Sequence, residues 1–500
     1  MTKGHIAALA LLSGIAGVVY ATLGLVELHT FRSGVYDLVI FDQVVRGYAE
    51  FTLPGSLVKG QWNHIGIPLP IFSDHVSPIL ALLGPLYWIH DGPATLLIAQ
   101  AVLFAAAIPV LWVAGRRLLG TTCAYAMVCA YALSWPIAEA AAFQFHEFAF
   151  MPPLTALLFE RWQAGRRSHV VLVAVLLLAV KEDVGLLVAG FGAALLLGRR
   201  RRHWRPVAAL LVTGGLACTV IATRVVIPAF GGSPYRYWAY GGLGPDLGAA
   251  LGHVAADPLG SLAVLVIPAA KVGTTLWLLA PFAFTSLASP FVLAALPMLL
   301  TRLLATDLPS WWGTHYHYNS AIVVPLLLAG ADGARRIALV IEKRWPGLDH
   351  RVVARAWAGW LAIAAVASIP QFAFRTLFDP SFYSGAPRQE AAAAAAALIP
   401  DGALVEAANQ LGPALTSRAK VVIWRDMPLR APWVVADTGG PQPMFSSRMA
   451  QLADVRLLRD CGYEQVYDRD GYLVLHAASP GSAAPDLTPH RCAPDATHSS

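Results

Sequence analysis

The chain has 500 residues, of which 57% are hydrophobic and only 13% are charged, and its mean hydropathy is +0.57. Soluble domains carry about 25% charged residues, so this composition excludes an ordinary soluble protein. The net charge of +6 is divided among short arginine clusters with little aromatic interleaving, which argues against a nucleic-acid-binding surface. Repeated apolar runs, long enough to cross roughly 30 Å of hydrocarbon, predict a polytopic membrane protein.

The arginine clusters predict the topology, because Lys and Arg concentrate in cytoplasmic loops. They separate the apolar runs at 116–117, 161–167, 199–205 and 335–355. We interpret the first apolar run, residues 5–28, as a retained helix with a cytoplasmic N-terminus, since it lacks a convincing small-residue cleavage site.

The rest of the first 374 residues reads as a transmembrane module with a large outer loop at 29–93. Further spans follow at 94–114, 121–138, 148–162, 169–180, 184–198, 206–228, 319–331 and 353–373, with two more and a re-entrant piece between 259 and 304. The total is about eleven spans, and the number between 229 and 330 stays open. With this topology every strong basic cluster lies inside and every acid or histidine cluster lies outside.

The composition changes after Arg375, and residues 375–478 read as a small α/β extracytoplasmic domain. Helices are predicted at 388–399 and 446–458, and β-like runs at 403–406, 420–424, 432–437, 463–468 and 471–476. The tail, 479–500, is rich in Ser, Pro and Ala and is expected to be disordered.

Two acids near the start of the first outer loop are candidates for chemistry. Asp37 and Asp42 are five residues apart, so on a helix their side chains point about 140° away from each other. They are therefore not a shared carboxylate pair; one would act as a base while the other fixes the loop or binds a cation. The alternative is that either is a turn or cap residue.

Asp74 and His75 stand directly before a predicted helix N-terminus in the same loop. The positive end of a helix favours an anion, and a histidine adds a donor there. The alternative is plain helix capping by Asp74 with His75 exposed.

Lys181, Glu182 and Asp183 lie between two apolar runs. A charged side chain in mid-membrane costs at least about 2.5–3.5 kcal/mol, so the three belong at a helix end that faces a cavity, or pair internally. The alternative is a charged turn, with Lys181 reaching to the interface.

Weaker candidates complete the set. His315 and His317 share a face if their segment is extended, although histidines and tyrosines at this depth are often only an aromatic belt. His146, Glu147 and Arg224 lie near the outer ends of predicted spans.

Three motifs carry a resemblance to known proteins: Tyr-Asp-Leu-x-Ile-Phe-Asp-Gln at 36–43, Asp-His-x-Ser-Pro-Ile-Leu at 74–80, and Lys-Glu-Asp at 181–183. In this order they resemble an uncharacterised family of bacterial multi-pass membrane proteins of unknown function, over about residues 5–475. The layout is also similar to that of the GT-C glycosyltransferases, namely protein O-mannosyltransferases, lipid A aminoarabinose transferases and oligosaccharyltransferase.

The GT-C resemblance implies roles for particular residues. Those enzymes have an acid early in the first outer loop, where Asp37 stands, and the mannosyltransferases have Asp-x-His-Pro-Pro-Leu where this chain has residues 74–79. Their Gly-Arg-Arg-Leu-type inner loop is matched at 115–120. In the aminoarabinose transferases a lysine at the end of the fifth span contacts the lipid phosphate, and Lys181 falls there. The mannosyltransferase Asp-Glu pair is absent from this chain.

The resemblance thus implies an inverting glycosyltransferase of the plasma (inner) membrane, with a polyprenyl-phosphate-linked sugar as donor and an envelope glycan, lipid or protein as acceptor. Asp37 would be the catalytic base. The residues expected to bind substrate or phosphate are His75, Lys181, Glu182, Asp183, His315, His317 and Arg224. The scheme requires no metal, although Asp42, Glu182 and Asp183 would offer ligands for a divalent ion. The alternatives are a membrane transporter or lipid flippase, in which these charges would be coupling groups, and a non-catalytic envelope assembly protein.

Overall fold

The computed structural model of the protein describes residues 2–61, 66–198, 202–233, 236–385, 388–426, 429 and 431–477. The arginines predicted to be cytoplasmic at 199–201 and the tail predicted to be disordered at 479–500 lie outside these ranges.

The described chain before residue 375 is mainly helical. Its helices of eight or more residues are Lys3–His29, Leu38–Ala49, Pro93–Leu119, Thr121–Ala132, Trp135–Ala142, Met151–Gln163, Arg167–Leu178, Val184–Leu197, Arg205–Ile221, Leu247–Ala256, Ala269–Leu279, Leu296–Leu303, Ser320–Arg344 and His350–Ser368. The fold class expected from the composition, a helical bundle with several apolar helices, is therefore confirmed.

The expected number of about eleven spans is not confirmed. In the described ranges, four helical stretches are long and apolar enough to cross a membrane: Lys3–His29, Pro93–Leu119, Arg205–Ala229 and His350–Gln371. A fifth is possible if Leu247–Ala256 and Pro258–Val264, which meet at 116°, form one broken span.

A proline explains why one predicted span is divided into two shorter helices. The run predicted to cross at 121–138 divides into Thr121–Ala132 and Trp135–Ala142. Pro136 lacks the amide hydrogen that would bond to the carbonyl of Ala132, so the first helix ends there.

The helix Pro93–Leu119 is the centre of the bundle. It packs against Lys3–His29, Thr121–Ala132 and Met151–Gln163, and its Phe104 and Trp112 are fully buried. This long helix connects the two ends of the bundle.

A five-stranded sheet follows the bundle, as predicted. Its spatial order is Lys420–Ile423, Leu404–Ala407, Trp433–Asp437, Tyr472–Ala477 and Tyr463–Arg469. The first three strands are parallel, with Val405 opposite both Val421 and Trp433, and the other pairings are antiparallel. The same region contains the helices Gln389–Ala397 and Arg448–Asp460.

The first loop packs directly on this sheet. Gln61 exchanges two hydrogen bonds with the backbone of Ile423, at 2.8 and 3.2 Å, as another strand would. Gln43 donates to the carbonyl of Val421 at 2.9 Å. Gly412 is required at this contact, because a Cβ there would overlap the side chain of Val35. The first loop is therefore held between the helices and the sheet.

Candidate functional site

A cavity of about 620 Å³ lies where the first loop meets the turns after several helices. Eight of the residues singled out in the sequence line it: Asp37, Asp74, His75, His146, Lys181, Glu182, Asp183 and His317. Segments far apart in the chain therefore converge on one space.

Asp37 has an unusual backbone. Its φ of 66° and ψ of −62° correspond to the rare γ-turn conformation, which costs about 1–3 kcal/mol for a residue other than glycine. It directly precedes the helix Leu38–Ala49, but its side chain makes no capping hydrogen bond. Asp37 therefore occupies a turn, as the alternative interpretation allowed, but its side chain does not cap the helix that follows.

The Asp37 carboxylate is available for chemistry. Within the described part of the chain it makes no hydrogen bond or ion pair, and it faces the cavity. Burial raises its pKa to about 6, an effect that the positive charge of Lys59 moderates. A carboxylate of this kind is suited to accept a proton near neutral pH.

The strained turn is held by hydrogen bonds on both sides of Asp37. The amide of Val35 donates to Oδ1 of Asn409 at 2.9 Å, and the amide of Leu38 donates to Oε1 of Gln144 at 2.9 Å. Asn409 follows the strand Leu404–Ala407, so the sheet contributes directly to the position of the acid.

Asp74 is an ion-pair partner instead of a helix cap. Its carboxylate lies 2.9 Å from Nζ of Lys59 and accepts a hydrogen bond of 2.6 Å from the hydroxyl of Tyr237. Burial would raise the pKa of Asp74, but the cations His75 and Lys59 outweigh it and hold the pKa below its usual range.

His75 links the first loop to the Lys-Glu-Asp motif. Its Nδ1 lies 2.8 Å from Oε1 of Glu182, and the other carboxylate oxygen accepts from the amide of Val76 at 3.0 Å. Burial and Lys181 lower the pKa of His75, yet the carboxylates of Glu182 and Asp74 raise it above its ordinary value. The His75 ring also stacks on Tyr237, with centroids 4.9 Å apart.

Lys181 has a buried partner. Its Nζ lies 3.0 Å from Oε1 of Glu147, whose side chain is inaccessible to solvent. Glu147 therefore stands behind the cavity and offsets the charge that Lys181 presents to it.

Arg302 is a cavity cation that sequence reasoning missed. It is only 8% exposed, and its guanidinium donates to Oδ1 of Asn319 at 3.2 Å and to the carbonyl of Met298 at 3.3 Å. Its Nη2 has no hydrogen-bond partner among the described residues, and no carboxylate pairs with it there. Lys59 was missed as well. An arginine inside the apolar stretch 290–305 was a usable signal, because a charge there is a candidate functional residue by default.

Two neutral histidines form another wall of the cavity. The rings of His146 and His317 stack with centroids 3.4 Å apart. Burial and the nearby charge of Lys181 hold both pKa values well below the usual range. Neither ring nitrogen of His317 has a hydrogen-bond partner in the described chain.

Four predicted residues do not line the cavity: Glu147, which stands behind Lys181, and three residues that lie elsewhere. Asp42 is buried elsewhere, where it accepts hydrogen bonds from Arg46, Tyr87 and Thr416. His315 is exposed beside Glu139, at 3.3 Å. Arg224 is exposed in a single π-helical turn, Ala222–Val226.

Of the three carboxylates expected to offer ligands for a divalent ion, only Glu182 and Asp183 line the cavity. Asp42 lies outside the cavity, so it does not join Glu182 and Asp183 in one ligand set. Among the described residues, the group whose three ligand atoms all lie within 4.8 Å is Glu342, Asp349 and His350, which is also outside. Two carboxylates of the cavity have oxygens without a described hydrogen-bond or ion-pair partner. One is Asp183, through its buried Oδ1, and the other is Asp37.

The geometry combines a proton acceptor with an anion site. Within the described ranges, the Asp37 carboxylate has no partner and Arg302 forms no ion pair and has a free Nη2, and both residues line one cavity. Such a site suits a transfer reaction in which a hydroxyl loses a proton and an anionic group leaves.

Three solved structures are similar to this chain. ArnT from Cupriavidus metallidurans bound to undecaprenyl phosphate is 11% identical, with 96% of this chain and 99% of that chain covered and a TM-score of 0.47. The Archaeoglobus fulgidus oligosaccharyltransferase in complex with Zn and sulfate is 12% identical, with coverage of 93% and 73% and a TM-score of 0.43. AglB of the same organism, in complex with an inhibitory peptide and a dolichol-phosphate, is 11% identical, with coverage of 96% and 76% and a TM-score of 0.45.

Comparison with curated proteins finds no match. Residues 27–474 match a family described as "Predicted membrane protein (DUF2079)", and the motifs at 36–43, 74–80 and 181–183 all lie within that range. The chain therefore belongs to the DUF2079 family of membrane proteins.

Proposed function

We propose that the protein is a membrane glycosyltransferase that moves a sugar from a polyprenyl-phosphate donor to a hydroxyl-bearing envelope acceptor. The observation that carries the proposal is the presence in one cavity of the Asp37 carboxylate, which has no partner among the described residues, and of Arg302, whose charge no described carboxylate neutralises. The donor class comes from the family resemblance in the sequence, and the cavity is compatible with it.

The reaction assigns a separate task to each group. Asp37 accepts the proton of the acceptor hydroxyl while the oxygen attacks the anomeric carbon. The bond from that carbon to the phosphate oxygen breaks, its electron pair leaves with the phosphate, and attack from the opposite side inverts the anomeric configuration. Arg302 stabilises the negative charge that develops on the phosphate.

The two lysines of the cavity, Lys181 and Lys59, are each paired with an acid. Lys181 faces the cavity but shares its charge with Glu147, and Lys59 shares its charge with Asp74. Since both are already partly neutralised, we assign the main phosphate contact to Arg302, with Lys181 and His75 as secondary groups.

The size of the cavity fits this chemistry. Ligand sites typically enclose about 300–1,000 Å³, and the cavity of about 620 Å³ has room for a sugar phosphate together with the acceptor hydroxyl. The aromatic side chains Tyr237, Tyr240 and Trp238 form one of its walls.

A transporter is the less suitable function. Alternating access uses broken helices that form the substrate site. The strongly bent pair here, Leu247–Ala256 and Pro258–Val264, contributes no described residue to the cavity.

The test uses the full-length protein in proteoliposomes with radiolabelled polyprenyl-phosphate sugars and an extract of cell-envelope acceptors. We expect label to leave the lipid fraction, and Asp37→Asn to slow transfer by about 100-fold or more, as expected for loss of a general base. Asp401→Asn, which removes an exposed acid outside the cavity, is the matched control. Absence of transfer and of any binding of polyprenyl phosphate would overturn the proposal, and full activity of Asp37→Asn would remove Asp37 from the base role.

A further inference from the structure

A second cavity, of about 440 Å³, is lined by three arginines, and we call it the arginine cavity. Arg335 comes from the helix Ser320–Arg344, and Arg351 and Arg355 come from the first turns of His350–Ser368. The proposed glycosyltransferase reaction makes no use of this cavity.

The arginine cavity is remote from the candidate functional site. It adjoins Leu119, the last residue of the central helix, whereas Gln100 of the same helix accepts a hydrogen bond from the amide of His146 in the first cavity. The 19 residues between them span about 28 Å of helix. In the topology proposed from the sequence, the arginine cavity faces the cytoplasmic side.

Its positive charge is not neutralised by the described residues. None of Arg335, Arg351 and Arg355 forms an ion pair with a described acid. The acids Glu342 and Asp349 contact His350, which lines the cavity, at 2.9 and 3.2 Å.

The spacing of the arginines is mildly unfavourable without an anion. Arg351 and Arg355 are exposed and four residues apart on one helix face, where like charges repel by about 0.2–0.5 kcal/mol. Arg351 also lies in the first turn of the helix, where the backbone dipole favours negative charge.

A second helix start adds to the positive potential. Thr121 and Thr122 begin the helix Thr121–Ala132 and line the cavity, and Gly120 before them provides no side-chain cap. The start of His350–Ser368 is already capped, because Asp349 accepts a hydrogen bond of 2.8 Å from the amide of Arg351. One helix N-terminus without a side-chain cap and three arginines therefore line one cavity, and the described lining residues include no acid. Amide and guanidinium donors are the usual ligands of phosphate oxygens.

We propose that the arginine cavity binds a phosphate-bearing anion, and that in the membrane this anion is the head group of an anionic phospholipid. Basic pockets between helices at the cytoplasmic face are suited to such head groups, to which long side chains reach from several helices. Occupation would offset part of the positive charge of the cluster and connect the three helices Thr121–Ala132, Ser320–Arg344 and His350–Ser368.

The test compares two variants of equal charge in nanodiscs of phosphatidylcholine with a small fraction of phosphatidylglycerol. One carries Arg335→Gln, Arg351→Gln and Arg355→Gln, and the control carries Arg116→Gln, Lys343→Gln and Arg344→Gln, which lie outside the cavity. Lipid that stays bound is counted by native mass spectrometry after transfer to detergent. We expect wild type and control to retain phosphatidylglycerol and the cavity variant to lose it by at least about tenfold.

The outcomes separate the possible sources. Equal losses in both variants would overturn the proposal, because the effect would then be general surface charge. Displacement of the lipid by millimolar inorganic phosphate would support the phosphate site but assign it to a soluble ligand. If the triple cavity variant does not fold, the single change Arg351→Gln against Arg344→Gln gives the same comparison, and equal retention by these two overturns the proposal.

Discussion

The amide of Val35 donates a hydrogen bond of 2.9 Å to Oδ1 of Asn409, a residue more than 370 positions later in the chain. This bond joins the C-terminal sheet to the turn that holds Asp37 in a strained conformation. Asn409 is itself fixed, since its own amide donates to Oε1 of Gln442 at 3.0 Å. The sheet therefore has a role in positioning the proposed base as well as in covering the bundle.

We predict that Asn409→Ala lowers kcat about 10- to 100-fold while KM changes little. Without the acceptor the turn relaxes toward an ordinary backbone conformation, and the carboxylate moves away from the acceptor hydroxyl. Steady-state transfer rates at several acceptor concentrations separate the effect on kcat from the effect on KM. Asn409→Asp keeps an acceptor oxygen and should retain most of kcat. If Asn409→Asp loses as much of kcat as Asn409→Ala does, the positioning role is contradicted.

We predict that transfer increases with pH and reaches half its maximum near pH 6. Burial raises the folded pKa of Asp37 from 3.8 to about 6, and the base acts only when it is deprotonated, so activity is lost as pH falls through that value. A profile of kcat/KM against pH measures it.

The cause of the shift can be tested separately. Lys59 lowers the pKa of Asp37, so Lys59→Gln should move the rising limb to higher pH, while the exposed control Lys343→Gln should not. Burial also raises the pKa of Asp183. If the limb disappears in Asp183→Asn, the titrating group is Asp183 and the assignment to Asp37 is wrong.

Much of the fold could be read from the sequence, because local patterns determine it. Each predicted β-like run after residue 400 lies within one residue of an observed strand at both ends, since alternating β-branched residues and turns specify short strands directly. The number of spans could not be read in this way. Hydropathy alone does not show where a proline such as Pro136 divides an apolar run, nor which short helices pack inside others.

The site was predictable where its residues form motifs. Asp37, His75 and Lys181 stand in short polar stretches between apolar runs, which marks them as unusual before any contact is known. Lys59 and Arg302 belong to no motif, and only tertiary packing brings them to the cavity. Asp42 looked equivalent to Asp37 in sequence, but it lies on the face of its helix that meets Tyr87 and Thr416.

We predict that the Lys181–Glu147 pair is coupled in stability. Lys181→Met leaves the Glu147 carboxylate buried without its cation and should lower the free energy of unfolding by about 3–5 kcal/mol. The double change Lys181→Met with Glu147→Met removes both charges and should recover most of that loss. Thermal unfolding in detergent of the two single variants and the double variant measures the coupling, and additive losses would contradict it.

The folded double variant also tests how much the donor needs Lys181. If Lys181 is a secondary phosphate contact, the double variant should keep measurable binding of polyprenyl phosphate. Complete loss of binding would instead make Lys181 the main contact.

We predict that Arg302→Gln weakens binding of polyprenyl phosphate by about 10- to 100-fold. A hydrogen bond to a charged group contributes about 1.5–3 kcal/mol, and each 1.4 kcal/mol is a tenfold change in Kd. The substitution also removes the hydrogen bonds of Arg302 to Asn319 and Met298, so thermal unfolding in detergent accompanies the binding measurement. Lys271→Gln is the matched control: Lys271 is also a buried cation, bonded to the carbonyls of Val264 and Ala305, but it lies outside the cavity. Lys271→Gln should keep its affinity for the lipid phosphate, and an equal loss of affinity in both variants would show that Arg302 is a structural residue.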